Sequence, residues 1–339
     1  RQSELAELSR IYDSSALSNR NLIINGAMEV AQRGTSVTGS TAGGTIHTVD
    51  RFFNHASGAT YDSTQESVTL GGETGLPVQF KNYHKFNVTT GANNCAVWQT
   101  VEDVTKVQGT HTLSFYAKGV NPAGGNIDVT TRQDFGTSGS TAVDTTLGNF
   151  VLTSTWQRFT FTFDAASVAG KTINASNYFR VMFHQPNADN GTAAWNLQIT
   201  GVQLEVGDTA TPFEHRSYGD ELQKCQRYFQ KYNYSSSLSD ADAQNTLPLV
   251  AAYSGGVGYA GHKLTQTMRT SPTFSASAAN TWVFYANGSS YTPSEMTAYE
   301  TGPSMWGQKY TATTNFTAGN AVYGRANSTS SYYQFDAEL

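Results

Sequence analysis

Charge is scarce in this chain of 339 residues: Asp, Glu, Lys and Arg together make up 14%, and the formal net charge is -5. The basic excess needed to neutralise phosphates is missing, and the Lys and Arg residues are scattered, which argues against a nucleic-acid partner. No apolar run approaches the roughly 18 residues of a membrane span, and the opening residues lack the apolar core and small-residue cleavage site of a secretion signal. Neither membrane insertion nor secretion is therefore expected. Cysteine is limited to Cys95 and Cys225, with no CxxC pair and no nearby histidines spaced for zinc. Two separate buried thiols are expected rather than a disulfide.

Recognisable catalytic signatures are missing too. The seven histidines are scattered, no nucleophile sits in a G-x-S-x-G context, and the glycine-rich Gly255–Gly261 stretch lacks a P-loop Lys-Ser/Thr ending. That stretch is expected to be a loop or a bulged strand. Asp128, Asp134, Asp144 and Asp164 supply carboxylates, but a glycosidase needs two facing one another across a cleft at roughly 5 to 9.5 Å. Any β-protein carries as many on its turns and wet faces, so a non-enzyme is expected.

What is present is Ser, Thr, Asn and Gly punctuating short apolar runs, with 12% aromatic residues and 31 glycines. That texture favours strands and turns. NLIING, VDRFFNHA, ESVTLGG, PVQFKNYHKFNV, CAVWQTV and HTLSFYAKGV are each of strand length and bounded by turn formers. In the last of these, Leu113, Phe115 and Ala117 fall on one face and Thr112, Ser114 and Tyr116 on the other, a half-buried strand with one wet side. The pattern continues through TWQRFTFTFD, YFRVMFHQP and NLQITGVQLEVG. Many short strands with little helical patterning between them indicate an all-β fold, an antiparallel jelly-roll β-sandwich.

Two segments depart from it. SELAELSRIY places Leu5, Leu8 and Tyr12 on one stripe of a short N-terminal helix that must dock on the body or pair with its own copies. DELQKCQRYFQKY places Leu222, Cys225 and Phe229 on a second stripe, with Asp220 at the N-terminal end and Lys231 at the C-terminal end, where the helix dipole favours a cation. The expected organisation is an attachment segment over 1–20, a jelly-roll sandwich over 21–218, and a helix plus a second small β-domain over 219–339. TWVFYANG, KYTATTNF, NAVYGRA and SYYQFDAEL are strands of that last part.

Beyond composition, particular strings stand out: NLIINGAMEVAQRGTS, VDRF, HTLSFYAKG, TWQRFTFTF and ITGVQLEVGDTATPFEHRSYGDELQKCQRYFQKY. Together they resemble a module of tail-fibre and other virion proteins of tailed bacteriophages, from Asn21 to about Tyr232. The resemblance implies a jelly roll similar to carbohydrate-binding modules, a homotrimer on the particle surface made in the host cytoplasm, and partners among other virion proteins and host-surface polysaccharide. Host attachment through glycans is the function it implies, with a purely structural head-decoration, collar or baseplate role as the alternative. Carbohydrate-binding relatives often hold calcium through an acidic residue in the first strand and an Asp pair in the last. Glu29 matches the first, but Gln198 to Val202 lack the pair, so no cofactor or metal is expected.

The remaining candidates are side-chain clusters. Asp50 and Arg51 are expected to form a buried ion pair or backbone clamp, and Glu214 and Arg216 to bind each other or nearby backbone at the corner after Pro212. Sugars are recognised by flat rings against their C–H faces. Trp282, Tyr285, Tyr291, Tyr299, Trp306 and Tyr310 crowd an otherwise Ser/Thr/Asn/Gly-rich stretch. They are the candidate ligand-binding rings, with core packing as the competing role for each.

Overall fold

A computed structural model describes residues 20–46, 48–69, 71–90, 93–185, 194–234, 250–254, 256–286, 289–312, 317–326, 328 and 330–339. The expected N-terminal helix with Leu5, Leu8 and Tyr12 lies outside the described residues.

Among the described residues before 218, the regular elements apart from a short 3-10 turn at Val104–Lys106 are strands: β1 (Ser36–Ser40), β2 (Phe53–Ser57), β3 (Thr60–Ser67), β4 (Asn82–Thr90), β5 (Asn93–Glu102), β6 (Gly109–Val120), β7 (Ile127–Asp134), β8 (Val143–Phe150), β9 (Gln157–Ala165), β10 (Tyr178–His184) and β11 (Trp195–Val206). They form a six-stranded sheet in the order β1-β3-β4-β11-β6-β9 and a five-stranded sheet in the order β2-β5-β10-β7-β8. From β4 onward the chain crosses between the sheets at nearly every connection, which makes the sandwich a jelly roll. Period-2 alternation supplies the core: Leu113, Phe115 and Ala117 of β6 pack with Phe86, Val97, Phe179, Val181, Phe183 and Leu197. Cys95 and Cys225 are both buried and form no disulfide with each other, and burial pushes the Cys95 thiol up to about 12.

The expected wet side of β6 is partly covered. Thr112 and Ser114 are buried, because the segment after β11 crosses over them: Thr112 donates to the Gly207 carbonyl at 2.8 Å, and Arg158 reaches both Ser114 and the Thr211 carbonyl. NLIING is not a strand either. Asn21 takes the Leu204 N–H on its Oδ1 (3.0 Å) and donates Nδ2 to the Val202 carbonyl (2.9 Å), binding the segment to a bulge in β11. At that bulge Gly201 has φ +63, and a Cβ there would meet the Phe80 ring at 2.7 Å, so only glycine fits.

The helix after the sandwich is shorter than its periodicity suggests. It spans Tyr218–Gln226 and is α1 below. Ser217 caps it, accepting from the Asp220 N–H at 3.2 Å and donating to the Asp220 carboxylate at 2.7 Å. Lys224, not Lys231, lies in its last turn. Phe229 and Lys231 have left the helix for a strand, because their backbone pairs with the C-terminal segment. The division between two compact units falls inside α1, between Leu222 and Gln223.

Beyond the end of α1 and a 3-10 turn at Ala279–Thr281, the regular elements described in the second unit are strands: β12 (Phe229–Tyr234), β13 (Val250–Ser254), β14 (Val257–Lys263), β15 (Thr273–Ala276), β16 (Trp282–Ala286), β17 (Ser289–Tyr291), β18 (Pro293–Thr301), β19 (Met305–Ala312), β20 (Ala321–Ala326) and β21 (Ser331–Asp336). A three-stranded sheet, β12-β21-β15, and a seven-stranded sheet, β17-β16-β20-β13-β14-β19-β18, enclose its core. The glycine-rich Gly255–Gly261 stretch largely becomes β14, with an irregular register against β13.

Each unit buries a histidine. His84 accepts or donates one hydrogen bond, to Ser63 Oγ at 3.0 Å, and its desolvation lowers the pKa from 6.5 to about 3. His262 stacks on Trp306 at 4.3 Å, and burial lowers its pKa to about 4. With folded values below the ordinary one, the unfolded chain binds more protons in between, so stability falls as pH drops from about 6.5 toward those values. Thermal melts from pH 7.5 down to 4 are expected to show a decreasing Tm, and His262→Gln to flatten the decrease in the second unit.

Candidate functional site

Strand alternation divides the aromatic residues of the seven-stranded sheet into two sets. Inward from it point Trp282 (0% exposed), Phe284, Trp306 (3% exposed) and Tyr310. Trp282 and Tyr310 are therefore core residues and no ligand platform, while Trp306 is a core residue that also lines the groove described below. Tyr291 opposes Phe284 and packs against the same core, so it too is removed from the expected binding set. A sandwich whose inner sheet supplies only Tyr232, Phe274, Tyr333 and Phe335 as rings needs these bulky partners to fill it.

Outward point Tyr253, Tyr259, Tyr285, Tyr299 and Tyr323. Tyr285 and Tyr299 are among the sequence candidates; Tyr253, Tyr259 and Tyr323 are not, Tyr259 because it lies in the glycine-rich Gly255–Gly261 stretch and the other two because each is a single tyrosine in a short strand. The rings form two groups. Tyr253 packs edge-on against Tyr259 at 5.5 Å, and Tyr259 meets Tyr299 at 4.8 Å. Tyr285 and Tyr323 stack at 4.9 Å with an 11° interplanar angle, and Arg325 lies over Tyr285 and donates to its hydroxyl at 2.7 Å.

Among the described residues, the large hydrophobic side chains left exposed in the second unit are Tyr253 (72%), Tyr299 (60%), Met305 (61%) and Tyr323 (46%). All four lie on this one face. In the first unit the exposed ones are Val78, Val120, Val151, Val206 and Tyr218, on separate loops, strand ends and the start of α1. Beside Tyr259 and Tyr299 the face dips into an open groove of about 460 Å³, lined by Gly261, Gly307, Glu300, Thr301 and Met305 among others. Lys309 pairs across the strands with Tyr259, next to the groove. Such a face offers flat apolar rings, an acceptor carboxylate and an ammonium donor, and no assembled nucleophile and base.

In the first unit the outer face of the five-stranded sheet also carries rings, but they are occupied. Arg180 lies over both Trp98 (4.8 Å) and Tyr178 (4.9 Å), and Trp98 stacks on Phe53 under Ile46. The scattered carboxylates serve the sheet: Arg132 pairs with Asp134 at 3.6 Å and Asp144 at 3.4 Å, and Asp164 accepts from Thr110 at 2.6 Å. Ser63 and His84 meet as a Ser/His pair, yet both are fully buried, so no substrate reaches them. Among the described residues no group of three or more His, Cys, Asp or Glu side chains is placed to hold a metal ion.

The expected structural pairs are split differently. Asp50 and Arg51 are both buried, and the Arg51 charge favours the Asp50 carboxylate, while each also has other direct partners. Asp50 meets Arg33 at 3.6 Å and takes the Gln32 N–H at 3.1 Å, while burial raises its pKa. Arg51, at φ 73, clamps the Thr100 carbonyl of β5 at 2.7 Å. Glu214 and Arg216 do meet, at 3.5 Å, and Arg216 also reaches Glu221 and the carbonyls of Asn21 and Ile23.

No family model matches the chain, and no curated protein does. Solved structures that resemble it include the enzymatically active domain of tailspike protein 4 of Bacteriophage CBA120 (13% identity, TM-score 0.34). The match covers 55% of this chain and 21% of that one. TmCBM61, solved with β-1,4-galactotriose, matches at 12% identity and TM-score 0.31, over 55% of this chain and 98% of its own. The family 11 carbohydrate-binding module of Clostridium thermocellum, solved with a mixed-linked tetrasaccharide, matches at 12% identity and TM-score 0.29, over 52% and 98%. At these values the likeness carries no argument about what the chain binds.

Proposed function

We propose that this protein is a non-catalytic surface protein of a tailed-phage particle that attaches to host-surface polysaccharide through the outer face of the seven-stranded sheet. The observation that carries the reading is the gathering of every exposed large hydrophobic side chain described in the second unit on that one face. Water-exposed rings that cost solvation and contribute nothing to the core are explained by a ligand that covers them. Tyrosines suit a sugar, whose C–H faces stack on the ring while its hydroxyls reach the phenol, Glu300 and Lys309. The particle assignment is supported by the strings from Asn21 to Tyr232, which resemble tail-fibre modules. A homotrimer presenting three such faces would convert a shallow, weak site into tight attachment by effective concentration.

Binding of the assembled protein to a panel of bacterial surface polysaccharides tests this. Tyr299→Ala and Tyr259→Ala are each expected to weaken saturable binding about tenfold, the equivalent of ~1.4 kcal/mol, with an unchanged circular dichroism spectrum. Wild-type protein that binds none of the panel would point instead to a purely structural component whose partners are other virion subunits.

A further inference from the structure

Two glycines face one another near one edge of the seven-stranded sheet: Gly261 of β14 and Gly307 of β19 are direct cross-strand partners, and Gly307 in turn opposes Glu300 of the edge strand β18. A glycine inside a strand weakens it, since it gains no packing and loses more chain entropy than any other residue. β18 is irregular opposite Gly307, between Ala298 and Glu300, but neither dihedral angle nor close packing demands a glycine at either position. Neither residue has a left-handed φ, a Cβ on Gly261 would meet nothing within 4 Å, and a Cβ on Gly307 would meet only ordinary contacts, the nearest being the Glu300 nitrogen at 3.6 Å. Gly258 on the same strand is the contrast: it faces inward, where a Cβ would strike Val250 Cγ1 at 2.6 Å. The fold needs Gly258. It does not need Gly261 or Gly307, and what their missing side chains leave is the groove of about 460 Å³.

The surroundings of that groove are specific. Along β14, Gly261 follows the ring of Tyr259 by two residues, or about 7 Å, so a sugar stacked on Tyr259 and Tyr299 extends its next substituents over the glycines. One wall is the thioether of Met305, 61% exposed. Glu300 lines the groove as well and has no salt-bridge or hydrogen-bond partner among the described residues. An apolar wall beside a bare carboxylate matches a substituent that is itself half methyl and half N–H donor.

Resting on the glycan-binding reading above, we propose that the groove is a subsite for a 2-acetamido sugar. The acetamido methyl packs on Met305, its N–H donates to Glu300, and the pyranose ring stacks on the Tyr259–Tyr299 pair. Gly261 and Gly307 are specificity-determining residues, kept small so that the substituent can enter. A plain hexose would stack on the same rings and leave Met305 uncovered.

Calorimetric titration of the assembled protein with N,N′,N″,N‴-tetraacetylchitotetraose and with cellotetraose separates these ideas, because the two chains share a backbone and differ in the acetamido group. Wild type is expected to favour the acetylated chain at least tenfold. Gly307→Val and Gly261→Val, which place β-branched residues at open strand positions, are expected to raise Tm and to abolish that preference. Glu300→Gln should reduce it without changing Tm, which keeps a test in hand should a valine variant fold poorly. Tyr299→Ala should instead lower affinity for both chains. Equal affinity of wild type for the two tetrasaccharides, or a preference that survives in the folded valine variants, overturns the subsite while leaving the tyrosine surface standing. If neither these chains nor the wider polysaccharide panel binds wild type, the surface reading itself fails and the subsite with it.

Discussion

Trp306→Ala is expected to destabilise the second unit by about 3 to 5 kcal/mol, the range for removing a large buried aromatic side chain. The indole stacks on His262 (4.3 Å) and Phe274 (5.0 Å) and meets Phe335 (4.6 Å) and Tyr333 (5.3 Å). It therefore joins the seven-stranded sheet to three of the four core rings of the three-stranded one, Phe274, Tyr333 and Phe335. Against a total of roughly 5 to 15 kcal/mol for an ordinary domain, a loss of that size removes a third or more of the stability. A urea melt followed by tryptophan fluorescence would measure it. Trp306 also lines the groove, so ligand binding by this variant is compared only under conditions where it is folded, whereas Tyr299→Ala, at an exposed position away from the core, should stay within about 0.5 kcal/mol of wild type. A Trp306→Ala protein as stable as wild type would show that the ring is not the centre of this core.

Arg216→Ala is expected to cost the first unit a similar amount, about 3 to 5 kcal/mol, for an electrostatic reason. The guanidinium lies between the Glu214 and Glu221 carboxylates (3.5 and 3.4 Å), and all three side chains are at most 10% exposed. Those carboxylates are already committed to backbone: Glu214 accepts the Asn21 N–H at 2.8 Å and Glu221 the Asn25 N–H at 2.6 Å. Arg216 itself donates to the Asn21 and Ile23 carbonyls. Alanine would leave two buried negative charges and two carbonyls without their donor, and would release the NLIING segment from the start of α1. Lysine should not rescue, since one ammonium cannot reproduce the fork that serves two carboxylates and two carbonyls at once. Chemical denaturation of the wild type, alanine and lysine proteins checks this; a lysine variant at wild-type stability would show that charge alone suffices.

Much of the first unit was legible because it obeys a local rule. Leu113, Phe115 and Ala117 share a face in any extended chain, and the structure buries that face. The opposite face misled because Thr112 and Ser114 are covered by a segment almost a hundred residues further on, through Thr112 and Gly207. The helix misled at its end for a related reason. Leu222, Cys225 and Phe229 keep helical spacing, but Phe229 gains a full ladder against Asp336 and its neighbours by becoming a strand.

For the candidate surface, composition and spacing alone establish that the second unit is rich in strands and tyrosines, and which residues of one strand share a face. Period 2 groups Trp306 with Tyr310 and Met305 with Gly307, whatever the fold. Tertiary structure alone decided which group faces water and which strands are neighbours. Tyr259 and Tyr299 meet at 4.8 Å across 40 residues of chain, and the groove exists only because Gly261 and Gly307 fall into register. Pairing of that kind depends on hydrogen bonds and packing between distant segments, and a one-residue slip would turn every one of these rings to the other side.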